Sequence, residues 1–178
     1  MELTDALFDL CKDTQRPIIA IDGPAGAGKT TLAEHLSAAL SLRYKCTTLH
    51  MDELYNGWEN PFDHHFVDAL TGAVNAHRLK KSISISRYNW HTSSYGPVEE
   101  VPSAELLIVE GVASFHPAIR PDLTASIWID IEPTQGLKRV LIRDGESISP
   151  QMQKWLATQE EFFSANQSKE GADFLLTN

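Results

Sequence analysis

A single α/β domain, built on a five-stranded parallel sheet with helices on both faces, is what the sequence predicts. Three observations predict it. Short apolar runs of strand length alternate with longer stretches whose apolar residues recur at helical spacing, the order that right-handed βαβ units produce. A glycine-rich turn stands between the first such run and the helical stretch after it. The chain has 178 residues, is 42% hydrophobic and carries no Pro/Gly/Ser-rich linker, so residues 1–178 are expected to bury one continuous core.

The elements follow in order. Leu3, Ala6, Leu7, Leu10 and Cys11 fall at helical spacing and predict a short amphipathic helix over 3–13, closed before Arg16-Pro17. Ile18-Ile19-Ala20-Ile21, ended by Asp22-Gly23-Pro24, suits a strand buried on both faces. Thr30 to Leu40 continues as a helix, with Leu32, Ala33, Leu36, Ala39 and Leu40 as its apolar stripe. Cys46 to Met51 fits a second strand, and Phe66 to Lys80 a helix on Phe66, Leu70, Ala73, Val74 and His77. Leu106-Leu107-Ile108-Val109 is a third strand, and Ser126 to Ile131 and Asp173 to Leu176 complete the five. Residues 82–101 break this pattern: Ile83, Ile85 and Arg87-Tyr88 alternate with polar residues, and Pro97 to Val101 can pair back antiparallel, which predicts a hairpin flap over the site. Downstream, Met152, Trp155, Leu156, Gln159, Phe162 and Phe163 keep helical phase behind the Ser149-Pro150 start and read as core.

Charge and composition exclude several classes. With 15 basic against 24 acidic residues, a net of -9, and no dense Lys/Arg run, neither nucleic acid nor an anionic membrane is expected as a partner. Met1 to Asp13 lacks a basic n-region and an apolar h-region, and no apolar run approaches the roughly 20 residues of a membrane span. A soluble cytoplasmic protein is the expectation, and the sequence leaves a homo-oligomer open. Cys11 and Cys46 form no CxxC pair and read as buried thiols.

Gly23-Pro24-Ala25-Gly26-Ala27-Gly28-Lys29-Thr30 matches GxxxxGK[ST], the phosphate-binding loop, and Thr31 follows it. Successive main-chain N–H groups ahead of a helix N-terminus meet a polyphosphate with aligned dipoles, and glycines allow the close approach. Lys29 is expected on the β- and γ-phosphates and the Thr30 hydroxyl on Mg²⁺, with ATP as the nucleotide. Glu110 ends the third strand after four apolar residues, where an acid can orient the metal's water shell; a plain strand-end charge is the alternative.

Asp52 and Glu53 follow the second strand at the carboxyl edge, where open parallel sheets place their ligands, and either can serve as a base, Asp52 being nearer the strand. Asp63, His64 and His65 precede a helix in a Pro-marked loop and read equally as helix-entry polar residues; the two histidines lack further nearby metal ligands. Arg87-Tyr88-Asn89-Trp90-His91 can stack on and hydrogen-bond a planar ring, or bury as the flap's own core. Arg139 and Arg143 leave one side of a helix whose other face carries Leu137, Val140 and Leu141; they can clamp a transferring phosphoryl or form a solvated basic face.

Together these residues resemble the uridine kinase-like branch of the P-loop kinases over nearly the whole length. Ile21-Asp22-Gly23 through Lys29-Thr30-Thr31 is similar to its phosphate loop, and Met51-Asp52-Glu53-Leu54-Tyr55 to its segment bearing the catalytic carboxylate, which implies the base role for Asp52. Tyr88-Asn89-Trp90-His91 is similar to a Tyr-Asp-Phe stretch whose Tyr and nearby His meet a nucleobase, and Phe62-Asp63-His64 to a Phe-Asp-His whose Asp meets sugar hydroxyls. Val109-Glu110-Gly111 matches the third-strand Glu-Gly, and Arg139-Val140 with Arg143-Asp144 look like the lid helix, in a lid region over about 134–150. The resemblance implies the P-loop NTPase fold with strand order 2-3-1-4-5, ATP and Mg²⁺ as cofactors, and a small nucleoside-like acceptor met by Asp52, Tyr55, Asp63, Arg87, Tyr88, Trp90 and His91. It implies transfer of the γ-phosphoryl of Mg·ATP to a hydroxyl of a uridine- or cytidine-like nucleoside or similar metabolite. The rivals are a kinase for a nucleotide, sugar acid or vitamin, and a nucleotide-sensing switch, although no Asn-Lys-x-Asp or LSGGQ stretch is present.

Overall fold

The computed structural model describes residues 2–178. In chain order the elements are α1 (Leu3–Lys12), β1 (Ile18–Asp22), α2 (Lys29–Leu40), β2 (Cys46–His50), α3 (His64–Arg78), β3 (Ile83–Asn89), β4 (Ser94–Val101), β5 (Leu106–Glu110), β6 (Ala125–Asp130), α4 (Pro133–Asp144), α5 (Ser149–Asn166) and β7 (Phe174–Thr177). Five strands form one sheet in the order β2-β5-β1-β6-β7, and every neighbouring pair is parallel. Numbered among themselves, these strands stand in the expected 2-3-1-4-5 order. β3 and β4 form a separate antiparallel pair with Ile83 opposite Val101, the flap foreseen over 82–101.

Side chains of a strand alternate between faces, and the central strands are apolar at consecutive positions because both faces are covered. Ile18 and Ala20 of β1, with Leu107 and Val109 of β5, pack with Phe66, Leu70 and Val74 of α3 and Trp155 and Phe163 of α5. Ile19 and Ile21, with Leu106 and Ile108, pack on the other face with Leu7 and Cys11 of α1 and Leu36 and Leu40 of α2. Each fully buried Leu, Ile or Phe contributes about 1.5–3 kcal/mol of transfer free energy, so these two layers hold the sheet.

Element ends differ from expectation by one or two residues. α3 begins at His64 rather than Phe66, because the Asp63 carboxylate accepts from the Phe66 amide at 3.2 Å and caps the helix. The expected thiol pair divides: Cys11 is buried, whereas Cys46 is only partly covered because β2 is an edge strand paired to β5 alone. The residues expected as a lid, about 134–150, form α4, a 3₁₀ turn at Glu146–Ile148 and the start of α5. Among the described residues no helix is long and apolar enough to cross a membrane.

Candidate functional site

The site forms where the carboxyl ends of the strands line up. His50 pairs in register with Glu110, Glu110 with Ile21, and Asp22 with Trp128. From Asp22 the chain enters the phosphate loop, where Gly23, Gly26 and Gly28 hold φ of 140°, 78° and 96°. Two of these glycines are also forced by contact: a Cβ on Gly23 would strike the main chain of Ile129, and one on Gly26 the carbonyl of Gly136. α2 starts directly behind the loop with Gly28 at its N-cap, so the first-turn amides point into the loop without intrahelical partners. Lys29 lies buried across the loop, donating to the carbonyls of Gly23 at 2.7 Å and Pro24 at 2.8 Å. Burial lowers its proton affinity, and the nearby carboxylates of Asp22, Glu110 and Asp52 oppose that.

Several supports of the loop lie outside the sequence motif. The buried Asp22 carboxylate accepts from the amides of Gly23 at 2.8 Å, Ala113 at 3.2 Å and Phe115 at 3.0 Å, tying the loop to the segment after β5. Burial pushes its pKa up to about 6 against those bonds. Gln159 of α5 accepts from the Ala25 amide at 3.1 Å, and Asn178 donates to the Ala27 carbonyl at 2.7 Å. Gly136 sets the first turn of α4 against the main chain of Ala25. Sequence reasoning missed these roles, although Gln159 carried a signal, since a glutamine in phase with a core stripe needs a partner for its amide.

Beside the loop, the Thr30 hydroxyl donates to Glu110 Oε1 at 3.0 Å. The same oxygen lies 2.5 Å from His50 Nδ1, and this bond raises the proton affinity of His50. A hydroxyl beside a carboxylate at the mouth of an amide-lined loop is a hard-oxygen set that suits Mg²⁺. His50 was not foreseen; its signal is its place at the end of β2, two residues before Asp52.

Asp52 lies in a short 3₁₀ turn, Met51–Glu53, at the same edge. Burial raises its proton affinity, as does the charge of Glu110, while His50, Arg143 and Lys29 act the other way, so Asp52 shares one electrostatic environment with the loop and lid cations. Arg139 of α4 points a guanidinium nitrogen at the Gly26 carbonyl, 3.4 Å away, and Arg143 is bound to Asp144 at 2.7 and 2.6 Å.

The remaining expected acceptor residues are placed differently. Tyr55 sits in the core, with its ring against Phe62, Phe66 and Trp155, and its hydroxyl donates to the Val112 carbonyl at 2.7 Å. Asp63 caps α3 and accepts from Asn56 at 2.8 Å. Arg87 is paired with Glu53 and with Glu99. Trp90 donates its indole N–H to the Asp52 carbonyl at 3.0 Å, and Tyr88 stands edge-on to Trp90 and Tyr95. The imidazole of His91 is exposed at the flap tip, and the exposed rings of His64 and His65 lie 4.3 Å apart, tilted by 35°. The structure thus gathers Lys29, Thr30, Glu110, Asp52, Arg139 and Arg143 at one edge and draws Tyr55 away into the core.

No family model matches the chain. Among curated proteins, the bifunctional pantoate ligase/cytidylate kinase of Gloeobacter violaceus is 37% identical over 120 residues, covering 62% of this chain and 22% of that protein. The cytidylate kinase of Clostridium botulinum (strain Hall) is 35% identical over 106 residues, covering 51% of this chain and 48% of that protein. The matched regions thus span less than half the length of these curated relatives. Among solved structures, a possible uridine kinase from Bacillus stearothermophilus superposes with a TM-score of 0.68 at 18% identity, covering 99% of this chain and all of that one. A candidate fructose transport system kinase from Silicibacter sp. TM1040 gives 0.71 at 16% identity, covering 98% of this chain and 99% of that one. At such identities the likeness is one of fold, and the fold is that of the P-loop kinases.

Proposed function

We propose that the chain is an ATP-dependent phosphotransferase that moves the γ-phosphoryl of Mg·ATP onto a hydroxyl of a nucleoside or similar small metabolite. One observation carries this reading: Asp52 stands in the turn directly after β2, at the same sheet edge as the phosphate loop with its Lys29 and the Thr30–Glu110 pair. A base must accept a proton while the neighbouring cations hold the transferring group, and a carboxylate with raised proton affinity is better matched to that task near neutral pH.

In this reading the amides of residues 23–30 hold the β- and γ-phosphates, and Lys29 turns from the carbonyls of Gly23 and Pro24 to complete the grip. Thr30 and Glu110 would hold Mg²⁺, which would supply positive charge against the phosphates. Asp52 takes the proton of the attacking hydroxyl, and Arg139 or Arg143 steadies the charge on the moving phosphoryl. The partner is a small molecule met in the cytoplasm. A nucleotide acceptor is the second reading, favoured by the relatives named cytidylate kinase.

The test is a panel of nucleosides, nucleotides, sugar acids and vitamins incubated with labelled ATP, with native protein beside Asp52→Asn. The expected result is one acceptor class that accelerates ATP consumption, and a variant that binds ATP normally but turns over slowly. Normal turnover by Asp52→Asn refutes the base assignment. ATP consumption that no small acceptor accelerates points instead to a nucleotide-sensing switch.

A further inference from the structure

The turn that carries Asp52 is not self-supporting. It spans three residues and holds one internal main-chain bond of its own, from the Leu54 amide to the Met51 carbonyl at 2.9 Å. A 3₁₀ turn has poorer hydrogen-bond geometry than an α-helix, and this one bond gives the Asp52 carbonyl no partner within the turn. A base that drifts by an ångström loses most of the advantage of being placed.

The missing bonds come from the flap. Trp90 donates its indole N–H to the Asp52 carbonyl at 3.0 Å, and Tyr95 donates its hydroxyl to the Leu54 carbonyl at 3.0 Å. Arg87 adds an ion pair to Glu53, the residue between them. Each of residues 52, 53 and 54 is therefore held by a different flap side chain. The ring of Trp90 also lies 4.9 Å from that of Trp58, which stands edge-on to Trp155 of α5. At its root the flap buries Ile83 and Ile85 in the same apolar layer as Leu70 and Val74 of α3. The hairpin is thus anchored in the core and serves as a fixed frame for the turn.

We infer that Trp90 and Tyr95 are positioning residues that act through Asp52, by clamping the main chain from which its carboxylate projects. This rests on the proposed base role of Asp52. It also assigns the polar atoms of these flap aromatics to the turn, where the flap's composition alone left a role in stacking on an acceptor ring open.

The test is a double-mutant cycle on the full chain, using Trp90→Phe and Tyr95→Phe alone and each combined with Asp52→Asn. Turnover is read with Mg·ATP and uridine as acceptor probe, and with Mg·ATP alone, where water is the acceptor. Tyr95→Phe removes only the hydroxyl, whereas Trp90→Phe removes the N–H donor together with part of the ring that meets Trp58, so a thermal melt checks that each variant is folded and the Tyr95→Phe result separates loss of the donor from loss of packing. The expected result is a loss of kcat of about tenfold for Trp90→Phe, with KM for uridine and the affinity for ATP unchanged within about twofold. In the Asp52→Asn background the same substitution should have no further effect, because a residue acting through Asp52 has nothing left to position. Tyr95→Phe should repeat the pattern. A raised KM with intact kcat, or an equal loss of rate in both backgrounds, overturns the inference while the base assignment stands. Normal turnover by Asp52→Asn removes the base assignment and this inference with it.

Discussion

Thr30 donates its hydroxyl to Glu110 at 3.0 Å across 80 positions of sequence, joining the first turn of α2 to the end of the strand beside β1. The contact places a hydroxyl and a carboxylate where the loop opens. Sheet order makes this possible, since β5 lies next to β1 and its last residue pairs with Ile21.

Glu110→Gln keeps the size of the side chain and removes its charge. If Glu110 orients the metal's water shell, the apparent affinity for Mg²⁺ in the presence of ATP should fall by about 10–100-fold. Affinity for ATP without metal should hardly change. Calorimetric titration of ATP at several magnesium concentrations separates the two effects, and an unchanged magnesium dependence would place the metal elsewhere.

Gly136→Ala tests the seating of α4 on the phosphate loop. Inside a helix this change ordinarily stabilises by about 1 kcal/mol through propensity. Here the new Cβ would stand 2.6 Å from the Ala25 carbonyl oxygen, a main-chain atom that cannot swing aside. Overpacking of this kind costs ~1–3 kcal/mol, so the clash wins over the propensity gain. The melting temperature and the ATP affinity should both fall, and a higher melting temperature would show that α4 does not rest on the loop.

Asp22 predicts a signature in stability against pH. Its pKa is lifted from the ordinary 3.8 to about 6 by burial, which corresponds to ~3 kcal/mol. Because the folded value lies above the unfolded one, its contribution is most favourable below pH ~4 and is lost as pH rises through ~6. Asp22→Asn removes the titration and also weakens the acceptor for the Ala113 and Phe115 amides. The advantage of native protein over the variant should therefore shrink between pH ~4 and ~6 in denaturant titrations. A gap that widens with pH over that interval would show that burial does not outweigh the amide bonds and the Lys29 charge around this carboxylate.

Much of this architecture was legible because its signals are local. Ile18-Ile19-Ala20-Ile21 and Leu106-Leu107-Ile108-Val109 are apolar without alternation, which only a strand covered on both faces requires, and the glycine loop marks where the first strand becomes a helix. The α3 stripe of Phe66, Leu70, Ala73, Val74 and His77 is buried as its spacing indicated. The supports of the site were not legible, because they join positions far apart in sequence by side-chain to main-chain bonds that leave no periodicity. Gln159 on Ala25, Gly136 on Ala25 and Trp90 on Asp52 are of this kind. Tyr55 shows the opposite difficulty. The family resemblance of Met51 to Tyr55 suggested that it meets the acceptor, yet an aromatic core formed by Phe62, Phe66 and Trp155 encloses its ring, and Val112 satisfies its hydroxyl.

The most direct measurement is isothermal titration of Mg·ATP into native protein and into Lys29→Ala, with both proteins shown to be folded by thermal melting. Native protein should show saturable uptake of one nucleotide per chain, and uptake should be at least about tenfold weaker once the lysine that spans the loop is gone. Equal affinity in the two proteins, or no heat of binding from native protein, would contradict this expectation.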